Sequence, residues 1–190
     1  RNMIQPHGGK LVDRVLRGAA LTDALARAKS LPQIVLDAES VSDVENLAKG
    51  VYSPLEGFLG RADFRNVLSQ SRLSNDLPWT VPIVLDATRE EAARYKVGGE
   101  IALANESGRP VAIFTLREVY DYDKEEMARN VFATVEKAHP GVAKVMAMKD
   151  VLLAGPVDLL AESPTPFDRY KLSPKETRVL FKEKGWRTVV

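Results

Sequence analysis

The chain has 190 residues, 45% of them hydrophobic and 28% charged, the balance of a soluble globular protein with an ordinary hydrophobic core. Its 27 Lys and Arg against 26 Asp and Glu leave a net charge of +1, without the basic excess or stripe of a nucleic-acid binder. Cysteine is absent, which excludes a disulfide framework and thiolate chemistry and suits a reducing cytoplasm. No apolar run approaches the ~20 residues of a membrane-spanning helix. Arg1–Lys10 lacks the apolar stretch of a secretory signal, so a cytoplasmic protein without membrane contact is expected.

In chain order, Gln33–Leu36 (QIVL) is a short apolar run and predicts a strand. Ser42 and Glu45 have the spacing of a capping box, which predicts a short helix ending at Gly50. Val51–Gly60 (VYSPLEGFLG) is too rich in Pro and Gly for a helix and too apolar for a solvated loop. A second helix is expected over Asp63–Leu68. Trp79–Asp86 (WTVPIVLD) predicts a strand, with Pro82 at an edge or bulge. Thr88 and Glu91 form another capping box, followed by a helical turn to about Tyr95. Gly98-Gly99 is a turn signal. Glu100–Ala104 and Val111–Val119 flank Asn105–Arg109 and predict a hairpin with a five-residue loop. Asp123 and Glu126 open a helix expected to run to about Lys137 and to end at His139-Pro140-Gly141. Val151–Leu160 is an apolar run that Gly155-Pro156 should break.

A boundary is expected next. Ala161–Phe167 (AESPTPF) has two prolines in seven residues and reads as a linker. Ser173-Pro174-Lys175-Glu176 is a capping box with proline at the first helical position, predicting a helix over Pro174–Lys184 that stops at Gly185. Trp186–Val190 then reads as a buried strand. Helix, glycine and strand open an α/β unit. The expected architecture is α+β: a body over residues 1–160 with its strands in a small mixed sheet or barrel, then residues 161–190 as linker and start of a second domain that is mostly absent.

The chemistry-bearing residues are sparse. His7 and His139 each sit beside a Pro or Gly turn, and no spacing of Asp or Glu suggests that they share a zinc ion. A histidine bonded to loop backbone is the plainer reading. No Walker A loop, dinucleotide fingerprint or G-x-S-x-G elbow occurs. Gly8-Gly9 could bring backbone amides to an anion, but a plain turn explains the pair. Glu90-Glu91 and Glu125-Glu126 fall in first helical turns, where they complement the helix dipole. Tyr52, Phe58, Phe64 and Trp79 could offer an aromatic surface to bases. Core positions are the commoner fate of such residues, and Phe58 and Leu59 are expected to be buried.

Five segments together resemble the N-terminal part of the ATP sulfurylases. Pro6-His7-Gly8-Gly9-Lys10-Leu11-Val12 is similar to their start. Val51–Gly60, followed by Asp63 and Phe64, is similar to their Y/F-S-P-L-x-G-F motif. Trp79-Thr80-Val81-Pro82-Ile83, His139-Pro140-Gly141-Val142, and Leu172-Ser173-Pro174 with Arg178 and Gly185-Trp186 follow in the family's order. The resemblance covers essentially the whole chain. It implies a PUA-like β-barrel over residues 1–160, then a linker and the first helix and strand of a Rossmann-like nucleotidyltransferase domain over 161–190. The implied reaction joins MgATP and sulfate into adenosine 5′-phosphosulfate and pyrophosphate, two anions that need cationic and amide donors to align them. In the family that work belongs to a Q-x-R-N-P-x-H-x-x-H stretch beyond the strand at Trp186–Val190. No catalytic, cofactor-binding or metal-binding residue is therefore assigned to this chain, and no cofactor; MgATP is a substrate of the complete enzyme. The implied partners are the C-terminal catalytic remainder and, as a homo-oligomer, further copies. The alternative is a stand-alone PUA-like module that binds RNA, an analogy at the level of fold.

Overall fold

Backbone pairing in this protein is organised around one long strand. The computed structural model describes residues 4–160 and 172–184. After a single 3-10 turn at His7–Gly9, the elements are β1 (Val15–Leu16), α1 (Gly18–Ala28), β2 (Gln33–Val35), α2 (Ala38–Lys49), β3 (Gly57–Phe58), α3 (Arg61–Gln70), β4 (Leu85–Ala87) and α4 (Arg89–Ala92). They continue with β5 (Glu100–Ala104), β6 (Pro110–Thr115), β7 (Glu118–Asp121), α5 (Lys124–Phe132), α6 (Pro140–Met146), β8 (Val151–Leu160) and α7 (Pro174–Lys184). The described residues form two units, one of 4–57, 101–114, 157–160 and 172–184, the other of 58–100 and 115–156.

In the first unit the strand order is β1-β8-β6-β5-β2. β6 runs antiparallel to β8, pairing Ala112 with Leu159 and Phe114 with Val157, while β1 is parallel to β8 and β2 parallel to β5. Asn105–Arg109 closes the β5–β6 hairpin, with the Asn105 side chain accepting the Ser107 and Arg109 amides. The core pairs small residues of α1 with the sheet: Ala24 and Ala28 pack with Ala102, Ile113 and Leu160. The two end strands, of two and three residues, do not pair with each other among the described residues. The sheet is therefore open, not the closed barrel that the resemblance implied. Strands so short expose too few backbone groups for a closing ladder.

In the second unit the other half of β8 pairs antiparallel with β4 and β7, Leu153 facing Leu85 and Val119. Gly155-Pro156 therefore marks where β8 changes partners and does not end it. A residue without a donor is tolerated where one ladder stops and the next begins. Phe64 of α3 packs on Tyr120 at a centroid distance of 5.9 Å and edge-on to Tyr122 at 6.2 Å.

The local signals vary in their success. The Thr88 capping box forms completely, as does that of Ser173, whose hydroxyl accepts the Glu176 amide while Glu176 accepts the Ser173 amide. The helix expected from Ser42 instead starts at Ala38, because Asp37 caps it by accepting the Ser40 amide at 2.8 Å. Its end at Gly50, φ 86°, is as expected. α3 extends the expected helix by two residues at each end. Trp79–Ile83 is irregular, and only Leu85–Ala87 pairs as a strand; the Trp79 amide is used on the Ser71 carbonyl, and Pro82 has none. Val111–Val119 divides into β6 and β7, with Leu116 pairing with Gly99 and Arg117 with Ala154. α5 stops at Phe132, and His139 begins a helix where an ending was expected. α1 has no side-chain cap, and the sequence gives no sign of its start. The linker Ala161–Phe167, Gly185 and the strand Trp186–Val190 lie outside the described residues.

Candidate functional site

Two sequence motifs, one near His7 and one near Tyr52, are tied together in the first unit. Ser53, 6% exposed, donates its hydroxyl to the Gly50 carbonyl at 2.7 Å and accepts the Val12 amide at 3.0 Å. A Cβ on Gly50 would lie 2.3 Å from the Val12 carbonyl oxygen, so this approach needs glycine twice over, for space and for its positive φ. Beyond this clasp, Lys10 binds Glu56 at 2.5 Å. Arg14 donates from Nε to the Val157 carbonyl at 2.9 Å, pairs with Asp158 at 3.1 Å and reaches Glu56 at 4.0 Å. The Lys10 hydrogen bond holds the Glu56 carboxyl below the usual carboxylate range, with the charges of Lys10 and Arg14 adding to it against partial burial. The row Lys10–Glu56–Arg14–Asp158 alternates in sign along its length and grips both motifs and β8.

α7 borders a second feature of this unit. Lys175 pairs with Asp13 at 3.2 Å, and Arg178 donates to the Ile4 carbonyl at 2.5 Å. A groove of about 440 Å³ lies there, lined by Asp13, Val15, Arg17 and Lys49 and by Ser173, Lys175, Glu176, Val179, Leu180 and Glu183 of the α7 segment. Burial pushes the Asp13 carboxyl up, but the Lys175 hydrogen bond, the Val15 amide and the charges of Arg17 and Lys175 outweigh it and hold the group low. Three cations and three carboxylates line the groove around Val15, Val179 and Leu180. Such mixed walls complement a protein surface better than a polyphosphate, which calls for one sign. No residue of α7 is buried, and Val179 is 52% exposed.

The residues singled out from sequence take mostly structural places. His7 stands in the first 3-10 turn, where Gly8 and Gly9 have φ of 71° and 76° and the Gly9 amide returns to Pro6. His139 caps α6 in the second unit. Phe58 and Leu59 are buried, as expected, and so is Phe64. Tyr52 is half-buried with its hydroxyl on Asp43 at 3.3 Å, and Trp79 is half-buried with its indole N–H on the Val81 carbonyl. Asp63 accepts the Ser74 amide at 2.8 Å. Glu91 completes its capping box, and Glu90, Glu125 and Glu126 occupy first turns. Among the described residues no group of three or more His, Asp or Glu is placed to hold a metal ion, and no helix is long and apolar enough to cross a membrane. Sequence reasoning missed the Lys10–Glu56–Arg14–Asp158 row, whose members lie up to 148 positions apart with no local signature.

Comparison with known proteins gives the family. A family model described as a PUA-like domain matches residues 4–162. A sulfate adenylyltransferase of Hyperthermus butylicus is 50% identical over 185 residues, covering 97% of this chain and 47% of that protein. One from Pyrococcus abyssi is 47% identical over 98% of this chain and 48% of its own length, and one from Symbiobacterium thermophilum is 45% identical with the same coverage. Among solved structures, a hexameric APS kinase from Thiobacillus denitrificans superposes with a TM-score of 0.70 at 31% identity, over 98% of this chain and 33% of that one. The chain thus belongs to the PUA-like domain family, is related to the N-terminal half of sulfate adenylyltransferases, and spans about half the length of the curated relatives it matches.

Proposed function

We propose that this chain serves as the non-catalytic N-terminal portion of an enzyme that converts MgATP and sulfate to adenosine 5′-phosphosulfate and pyrophosphate. The observation that carries the reading is the collinear match, at 45–50% identity over 97–98% of this chain, to sulfate adenylyltransferases about twice its length. In this reading the PUA-like domain is a scaffold. Its motifs around His7 and Tyr52 spend their polar groups on one another, through Ser53 and the Lys10–Glu56 pair, and so hold the domain's shape. α7 is the first helix of a Rossmann-like catalytic portion, and the remainder of that portion is the partner that covers its uncovered apolar residues. The chain carries no cofactor of its own, and ATP and sulfate bind elsewhere in the complete enzyme. The likeness to a hexameric protein supports a homo-oligomeric setting, and the sulfate-activating role supports an intracellular one.

The reaction brings a dianion to a polyphosphate, so rate depends on positioning and on charge-absorbing donors. The cations around the α7 groove are matched by carboxylates and are poorly suited to that task. A pyrophosphate-release assay with MgATP and sulfate tests the proposal. The purified chain should give no sulfate-dependent turnover, and supplying the C-terminal portion in cis or as a separate polypeptide should restore it. Turnover by the chain alone, at even a few per cent of the full enzyme's rate, would place the active site in this half and overturn the reading.

A further inference from the structure

We propose that His139 is a pH-sensitive cap, holding the start of α6 only as a neutral imidazole with its proton on Nε2. Position N1 of α6 is Pro140, which has no N–H, so the first amide needing a partner is that of Gly141. That amide donates to His139 Nδ1 at 3.0 Å. An imidazole nitrogen that accepts must carry a free lone pair, which fixes the proton of the neutral ring on Nε2. Packing fixes the ring: His139 stacks on Phe132 of α5 at 4.9 Å, tilted by 39°. A Cβ on Gly141 would come within 2.4 Å of Phe132 Cζ, so the same aromatic ring covers Gly141 and only glycine leaves room for it.

Taking up one proton at Nδ1 changes two things at once. The lone pair that receives the Gly141 amide is lost, and a positive charge appears at the positive end of the helix dipole. Both effects oppose the capped state. Because His139 is exposed, proton and water reach it directly. The charged side chains on the elements around it are Glu136 and Lys137 on the connecting turn, Lys124, Glu125, Glu126 and Arg129 on α5, and Lys144 on α6. The Glu136 carbonyl also accepts the His139 amide at 3.0 Å. Histidine is the side chain that ordinarily changes charge between about pH 5 and 8, so the imidazole is the switching group. α6 packs on α5 and buries Val142 and Val145, so loosening its first turn reaches the surface formed by both helices.

Nitrogen-15 NMR of the whole chain across this pH range tests the proposal. In the neutral form, Nδ1 of His139 should carry the shift of a bare acceptor and Nε2 that of a protonated nitrogen. On acidification the Gly141 amide shift should follow the ring's titration. Its protection, corrected for intrinsic exchange, should fall about five- to tenfold, the size of a lost cap. His139→Asn, which caps without titrating, should keep Gly141 protected at every pH. His139→Ala should lose that protection throughout. A neutral ring protonated mainly on Nδ1 would overturn the proposal without any variant, and so would an unchanged pH dependence in His139→Asn.

Discussion

α2 and α7 belong to the same unit and are nearly equal in length, yet they owe their boundaries to different causes. α7 is bounded as its local signals dictate, by a complete capping box at Ser173 and proline at N1, and it buries no residue. α2 ignores the plausible Ser42–Glu45 box, starts at Asp37 and buries Val44, Leu47 and Ala48. Where a helix is little covered, caps have no competitor. Where burial is worth several kcal/mol, packing selects among caps that differ by about 1 kcal/mol or less.

The largest effect that could break this contrast is a truncation in each helix. Leu47, fully buried in α2, should cost about 2–5 kcal/mol as Leu47→Ala, while Val179→Ala in α7 should stay within about 0.5 kcal/mol. Urea denaturation followed by circular dichroism reads both. Equal costs would mean that α7 shares the core in a way its exposure denies.

Removing the caps sharpens the point at a smaller scale. Asp37→Ala should lower global stability by about 1 kcal/mol, because α2 unfolds with its unit. Ser173→Ala should leave the global transition in place and only speed amide exchange in the first turn of α7. A global loss from Ser173→Ala would show that α7 is coupled to the unit as tightly as α2.

The smallest effect concerns the charged row beside these helices. Glu56 is held below its ordinary value of 4.5, so its pairing with Lys10 contributes stability above that pH, which is lost as pH falls through the lower folded value. Glu56 is 41% exposed, and solvent screens the pair. Lys10→Met should therefore cost no more than about 1 kcal/mol near neutrality, with the difference from the unaltered chain disappearing in acid. A Lys10→Met deficit that persisted in acid would assign it to lost packing, not to charge.

The same division separates what could be read along the chain from what could not. The Thr88 and Ser173 boxes, the Gly50 stop and the Glu100–Ala104 strand with its five-residue loop rest on interactions within a few residues, while the burial of Phe58 and Leu59 was legible from their apolar side chains alone. Along the chain His139 reads as a stop because Pro140 and Gly141 follow it. The same His-Pro pair is equally a start, with an N-cap and proline at N1. α1 escaped notice because it has no side-chain cap and is held by Ala24 and Ala28 against distant strands.

By itself the sequence determined the mixed α+β character, most of the locally capped turns and, through five motifs in order, the kinship with the ATP sulfurylases. Tertiary structure alone decided that β8 would serve two sets of partners across Gly155-Pro156 and that the first unit's sheet would stay open. It alone brought Lys10, Glu56, Arg14 and Asp158 into one row. The physical reason is range. A cap or turn is settled by a few neighbouring dihedrals and one or two hydrogen bonds, whereas strand pairing and ion pairs depend on residues that only the folded chain brings together.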